Sequence, residues 1–386
     1  MPHDVWLKKG REKKIRNGYP WVQRGEIEHG EGEPGGLVRV RDMDGATLGT
    51  GTFNPASRFP VRMLTTQEEP IDQAWFARRL AKADQIRRTR LQNTDSWRVS
   101  GGESDGLSGL IIDRYGDHLV VQVRTLGMER LRDLWYPALL EALKPASVYE
   151  RSDMAGRNEE RLSPHAGELL GPVPETVVMH EDGLKHTVLI KEGLKTGFYL
   201  DQRQTRRAFE AALKPGDKVL DVFSYTGAFA MRAARAGALP TAVDMNPLAV
   251  DTARADAALN GLEFPVVEAN AFEFLPSEAP GTYDWILLDP PAIAKTAEKR
   301  DSLKWGIWKL AYHALPALKP GGTLIVSACT YQMSLPMLVD TVRLAANDKN
   351  VILNLEHMTI QDIDHPAPIQ FPEALYLKTG WFRRAD

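Results

Sequence analysis

From about residue 188 onward the chain alternates short, continuous apolar runs with amphipathic stretches of helical spacing. Such runs read as strands buried on both faces, and the stretches between them as covering helices. Residues 218–223 form the first strand of this pattern, with a helix over 226–236 behind it. Residues 240–244 form the second, followed by a helix that starts at Pro247, a residue suited to a first turn, and ends at Asn260-Gly261. Residues 265–269, 285–289 and 323–327 are further strands. The alternation predicts an α/β domain built on a doubly wound parallel sheet. Ligands of such sheets sit beyond the carboxyl ends of the strands, where Asp221, Asp244, Asn270, Asp289 and Cys329 fall.

The preceding residues follow other periods. Residues 1–70 read as a β-rich domain, because Gly-rich turns separate runs such as 37–40 and 61–64. Residues 71–175 read as a mixed α/β middle domain, with a helix over 72–93, a hairpin over 109–123 turning at Gly116-Asp117, a helix over 130–143 and a strand near Val148. The remainder, 176–386, holds the doubly wound pattern.

Composition narrows the class. At 386 residues the chain is long enough for two or three domains, and its 43% hydrophobic and 26% charged residues suit soluble cores. A net charge of −3 excludes a uniformly basic coat. The first 24 residues nonetheless carry seven basic side chains against two acidic ones, a polarity that suits a polyanion. No apolar stretch approaches a membrane span, and the basic N-terminus lacks the apolar core of a signal peptide, so a cytoplasmic protein is expected. A single cysteine, Cys329, forbids an internal disulfide and a multi-cysteine zinc site, and the histidines are scattered, so no metal is expected.

The strand tips carry the chemistry. The first strand runs into Phe223-Ser224-Tyr225-Thr226-Gly227, which has one glycine where a dinucleotide fingerprint needs three. A ligand without a pyrophosphate can still pass over that turn. Asp244 is placed to accept from ribose hydroxyls, and Asn270 to help hold an adenine. With Asp289, these three successive tips describe a nucleoside site for S-adenosylmethionine. The prolines of Asp289-Pro290-Pro291 restrict the backbone that presents the carboxylate. Cys329 stands at the neighbouring tip. C5 of cytosine is a poor nucleophile, and a thiolate adding to C6 while an acid protonates N3 makes it reactive toward a sulfonium methyl. Ordinary turn, cap and core roles are the simpler reading of each residue taken alone.

Lys195-Thr-Gly-Phe-Tyr-Leu-Asp-Gln-Arg203, Phe223-Ser-Tyr-Thr-Gly227, Asp289-Pro-Pro291 and Cys329 together resemble the bacterial large-subunit ribosomal RNA cytosine-C5 methyltransferases. Leu7-Lys-Lys-Gly10, Tyr19-Pro-Trp-Val22 and Asn54-Pro-Ala-Ser57 are similar to that family's PUA RNA-binding domain, Gly102–Leu107 and Asp113–Gly116 to its middle domain, and Asp364-His-Pro366 and Tyr376-Leu-Lys378 to its C-terminus. The resemblance implies a Rossmann-like class I methyltransferase fold over 176–386, a PUA domain over 1–70, and 23S rRNA or a large-subunit precursor as partner. It implies Cys329 as nucleophile and Asp289 as catalytic acid. It implies cofactor contacts from Gln202, Phe223, Ser224, Tyr225, Gly227, Asp244, Asn270, Ala271 and Asp289. The target base would leave its stack to be reached.

Three features depart from the family pattern. Ala328-Cys-Thr330 replaces Ser-Cys-Ser, Ile293 replaces an aromatic after Asp-Pro-Pro, and Ile307 and Ala311 replace Tyr and Asn where a substrate pocket is expected. Two other functions fit the same chain. One is an rRNA methyltransferase acting on guanine N7 or an exocyclic nitrogen, with Cys329 structural; a sister branch sharing Phe-Ser-Tyr-Thr-Gly methylates guanine N7 and lacks the cysteine. The other is a non-catalytic RNA-binding assembly factor. Oligomeric state is open, a homodimer being the commonest symmetric assembly.

Overall fold

The computed structural model describes residues 3–291 and 300–385, so Ile293 lies outside the described residues. The chain gathers into two compact units. One comprises Met1–Gly183, Val188–Leu200 and Ile363–Ala374, the other Leu184–Thr187, Asp201–Asp362 and Leu375–Asp386.

Two larger sheets lie in the first unit. The N-terminal one has six strands, and alternate residues of its strands Leu37–Arg41 and Val61–Thr65 turn Val38, Val40, Val61 and Met63 into a small core with Val5, Leu7 and Val22. The second has five strands, with the hairpin Leu110–Tyr115/His118–Val123 inside it. The helices Gln73–Arg90 and Arg132–Leu143 bury Trp75, Phe76, Leu80 and Trp135 against this sheet. Asp72 caps the first of these helices by accepting from the Trp75 amide at 2.8 Å.

Segments 1–70 and 71–175 fall together in this unit, and a buried carboxylate explains why. Glu160 accepts from Asn54 Nδ2 at 2.7 Å and Ser57 Oγ at 2.6 Å, while Arg62 bridges Glu160 and Glu103. The Asn54–Ser57 motif thus serves a long-range structural contact. The unit also takes in residues 176–183, 188–200 and 363–374, beyond the expected limit at 175.

The second unit is a seven-stranded sheet. Its strands are β1 (Lys218–Val222), β2 (Leu239–Asp244), β3 (Val266–Glu268), β4 (Tyr283–Leu288), β5 (Leu318–Cys329), β6 (Leu353–Ile360) and β7 (Leu377–Arg384). Their order is β3-β2-β1-β4-β5-β7-β6, parallel except for β7, which runs antiparallel to both β5 and β6. Strand order reverses between β1 and β4, the place where a crevice opens at the carboxyl ends. Register fixes which residues meet there: Val222 pairs with Val243 and with Leu288, and Leu288 pairs with Val326. Helices Ala228–Arg235, Pro247–Leu259, Arg300–Ala314 and Leu335–Asp348 accompany the sheet. Asn246 caps the second of these with Pro247 in its first turn. Ile307 and Ala311, expected at a substrate pocket, are instead fully buried in the apolar core under β4 and β5, on the inward face of their helix.

Candidate active site

The turn after β1 is wound through left-handed backbone at Phe223 (φ 63°), Tyr225 (φ 49°) and Gly227 (φ 74°). Only the last is a residue that adopts this region without strain, and such strain in bulky residues gathers at functional sites. The winding is held from β2. The amide of Tyr225 donates to Asp244 Oδ2 at 2.8 Å, and the amide of Ser224 to the Val243 carbonyl at 3.1 Å. Gly227 also packs closely, since a Cβ there would lie 3.1 Å from the Cβ of Ala253.

A cavity of about 200 Å³ opens beside this turn. Phe223, Asp244, Asn270, Ala271, Phe272 and Pro290 are among its walls, so four predicted residues from three different loops meet at one place. Asp244 also accepts from the Asn246 amide at 2.9 Å, which leaves carboxylate lone pairs for a ligand's hydroxyls. Asn270 accepts from the Phe272 amide at 2.9 Å as a helix cap, leaving its amide donor available.

Asp289 follows β4 and is half-buried. Gln202, which precedes the helix Arg203–Ala212, donates through Nε2 to Asp289 Oδ2 at 3.0 Å and to Ser327 Oγ on β5 at 3.2 Å. Two residues beyond Ser327, half-buried Cys329 ends β5. One polar side chain therefore ties the tip that carries the carboxylate to the strand that carries the thiol.

Two further groups stand in surroundings that the sequence pattern does not announce. Lys378 on β7 stands opposite Ala328 in the antiparallel ladder, and its Nζ donates to the Thr330 carbonyl at 3.1 Å. Burial lowers its ammonium pKa to about 8, with the neighbouring Cys329 thiolate pulling the other way. Asp221 reads as a tip residue, yet it is fully buried inside β1 and accepts from the Ala230 amide at 3.1 Å. Burial pushes its pKa up to about 7, the Ala230 amide opposes this, and the charges of Asp289 and Asp244 add to the rise.

A PUA-like domain matches residues 5–66, and the family described as S-adenosylmethionine-dependent methyltransferase matches residues 140–370, more than half of the chain. The chain belongs to the S-adenosylmethionine-dependent methyltransferases. Curated relatives of this methyltransferase include a ribosomal RNA large subunit methyltransferase I from Shewanella amazonensis, 38% identical across 97% of each chain. Another of the same name, from Aeromonas hydrophila, is 37% identical across 98% of each. A solved structure described as a SAM-dependent methyltransferase from Streptococcus mutans shares the fold, with TM-score 0.84 and 21% identity over 99% of this chain and 100% of that one. A second solved methyltransferase, complexed with SAH, matches equally well.

The methyltransferase's own residues fit S-adenosylmethionine. The buried hydroxyls of Ser224 and Thr226 and the buried Oε1 of Gln202 have no partner among the described residues. Orphaned polar atoms of that kind call for a ligand or solvent to satisfy them. The cavity walls add carboxylate and amide groups suited to a ribose and an adenine. Among the described residues no cluster of metal-ligating side chains occurs, and no helix is long and apolar enough to cross a membrane.

Proposed function

We propose that this methyltransferase acts on large-subunit ribosomal RNA and methylates C5 of a cytosine, with Cys329 as the nucleophile. The ribosomal RNA substrate is carried by the relatives named above and by the PUA-like domain. One observation favours C5. The thiol ends the strand next to Asp289, with the Lys378 amino group against the same turn.

In this reading the cofactor supplies an electrophilic methyl group, and the chain's residues do the rest. The ammonium of Lys378 favours the thiolate of Cys329. The thiolate adds to C6, forming an S–C6 bond, and the carboxylic acid of Asp289 gives its proton to N3 as electron density shifts toward C5. After C5 takes the methyl, loss of the C5 proton to a base drives the pair back into the ring. The S–C6 bond breaks, the thiolate leaves, and N3 returns its proton. Gln202 fixes the Asp289 carboxyl throughout. Gln202, Phe223, Ser224, Tyr225, Gly227, Asp244, Asn270, Ala271 and Asp289 are the proposed cofactor contacts.

The test is methyl transfer from labelled S-adenosylmethionine to unmodified large-subunit rRNA, followed by nucleoside analysis. Label in 5-methylcytidine is expected, and Cys329→Ala should abolish it. Label in 7-methylguanosine, retained by Cys329→Ala, would overturn the covalent mechanism.

A further inference from the structure

A second cavity, about 470 Å³ in volume, lies in the first unit between the helix Gln73–Arg90 and the turn Ser104–Gly106. Arg78, Arg79 and Lys82 line it, with Glu69 and Asp105 as its acidic residues. Asp105 is already neutralised, since both its oxygens accept from Arg87 at 2.7 and 2.8 Å. Glu69 faces two arginines at longer range, 3.7 Å from Arg78 and 3.8 Å from Arg79. Three cations against one remaining carboxylate leave the groove with surplus positive charge.

The groove is built around Arg79. Its guanidinium lies over Gly106, where a Cβ would stand 2.4 Å from Nη1, and over the Trp75 ring at 4.7 Å. Gly106 itself has left-handed backbone (φ 70°). Burial holds the Arg79 pKa below the usual arginine value, with Glu69 only partly offsetting it. An arginine does not deprotonate in a protein, so the charge stays, met by the Trp75 ring, by Glu69 at 3.8 Å and by solvent on the exposed third of its side chain, and a bound anion would add to these. Lys82 forms no ion pair or hydrogen bond among the described residues.

The cations also form a row. Arg78, Lys82, the exposed Ile86 and Arg90 follow one another at four-residue steps, a row that winds about 40° around the helix at each step and is interrupted by Ile86. Successive positions are therefore about 6 Å apart along the axis, over about 18 Å in all. A polynucleotide backbone presents charges at steps of the same order, and an isolated phosphate would engage one step only. This helix falls between the segments matched by the PUA-like domain and by the methyltransferase family.

We infer that the groove between helix Gln73–Arg90 and turn Ser104–Gly106 binds the phosphodiester backbone of the RNA substrate, through Arg78, Arg79 and Lys82. It rests on the proposed ribosomal RNA function and adds a contact outside both matched segments. Phosphate contacts of this kind set register and affinity without reading sequence.

The experiment is filter binding of unmodified large-subunit rRNA to the full chain over a salt series. The variants are Arg78→Gln/Lys82→Gln and a charge-matched control, Arg254→Gln/Arg343→Gln, on the second unit. The groove variant should bind about tenfold more weakly at moderate salt, and its slope of log affinity against log salt should flatten by about two. S-adenosylmethionine affinity and melting temperature should stay unchanged, and Arg78→Lys should keep wild-type binding. Equal losses in both double variants would assign the effect to overall charge and overturn the groove. Unchanged affinity and slope in the groove variant would overturn it too, leaving the RNA function intact. Weakened binding of polyglutamate with RNA binding unaltered would assign the groove to an acidic protein partner and overturn the inference. Failure of the wild-type chain to bind rRNA at low salt would overturn the RNA function itself.

Discussion

Gln202 holds Asp289: its Nε2 donates to the carboxylate at 3.0 Å and, from the same nitrogen, reaches Ser327 on the adjacent strand at 3.2 Å. A carboxyl that must hand a proton to a flat ring needs a fixed direction, and this bridge supplies it. The prolines after Asp289 restrict the backbone, and Gln202 restricts the side chain.

Gln202→Leu is therefore expected to lower kcat by roughly tenfold to a hundredfold, as small misplacements of catalytic groups do. The dissociation constant for S-adenosylmethionine, read by calorimetry, should change only a few-fold. A large rise in that constant at near-normal kcat would make Gln202 chiefly a cofactor contact.

Lys378 gives a second expectation, with a clean readout because Cys329 is the single cysteine of the chain. Below about pH 8 its ammonium is charged beside the thiol and favours the thiolate. Lys378→Met removes that charge while keeping much of the buried stem. The rate of Cys329 alkylation by iodoacetamide at pH 7 should fall about tenfold, one unit of thiolate stabilisation. The pH for half-maximal alkylation should move up, and the two proteins should converge above about pH 9, where Lys378 is neutral in the wild type. Superimposable profiles would remove Lys378 from the mechanism.

The parts of this fold that were legible in the sequence are those with a local signal. Strands such as 218–222 and 283–288 are apolar runs buried on both faces, and Asn246-Pro247 announces its helix by cap and first-turn chemistry. The convergence of Phe223, Asp244, Asn270 and Ala271 on one cavity follows from strand order alone, so it too could be anticipated. β6 left no such trace, because Leu353–Ile360 is mostly exposed and its apolar and polar residues mark no buried face. Without β6 and β7, the antiparallel pairing that sets Lys378 opposite Ala328 is invisible. Ile307 and Ala311 misled for the opposite reason. Their helix is apolar enough to bury them, and sequence position alone does not distinguish a core face from a pocket wall.

Asp221 carries the last expectation. Its side chain is buried within the sheet, and its pKa stands near 7 instead of the usual 3.8. Between those values the folded chain holds a proton that the unfolded chain has released. Unfolding free energy therefore falls as pH rises from about 4 to 7, and levels off above, where both states are ionised. The carboxylate then remains buried at a cost of roughly 2–4 kcal/mol. Asp221→Asn keeps an acceptor for the Ala230 amide and never ionises. It should raise the urea midpoint at pH 8, leave it nearly unchanged at pH 4, and flatten the decline between. If the wild type and Asp221→Asn show parallel pH profiles, Asp221 is ionised throughout this range, with its charge met by groups inside the fold.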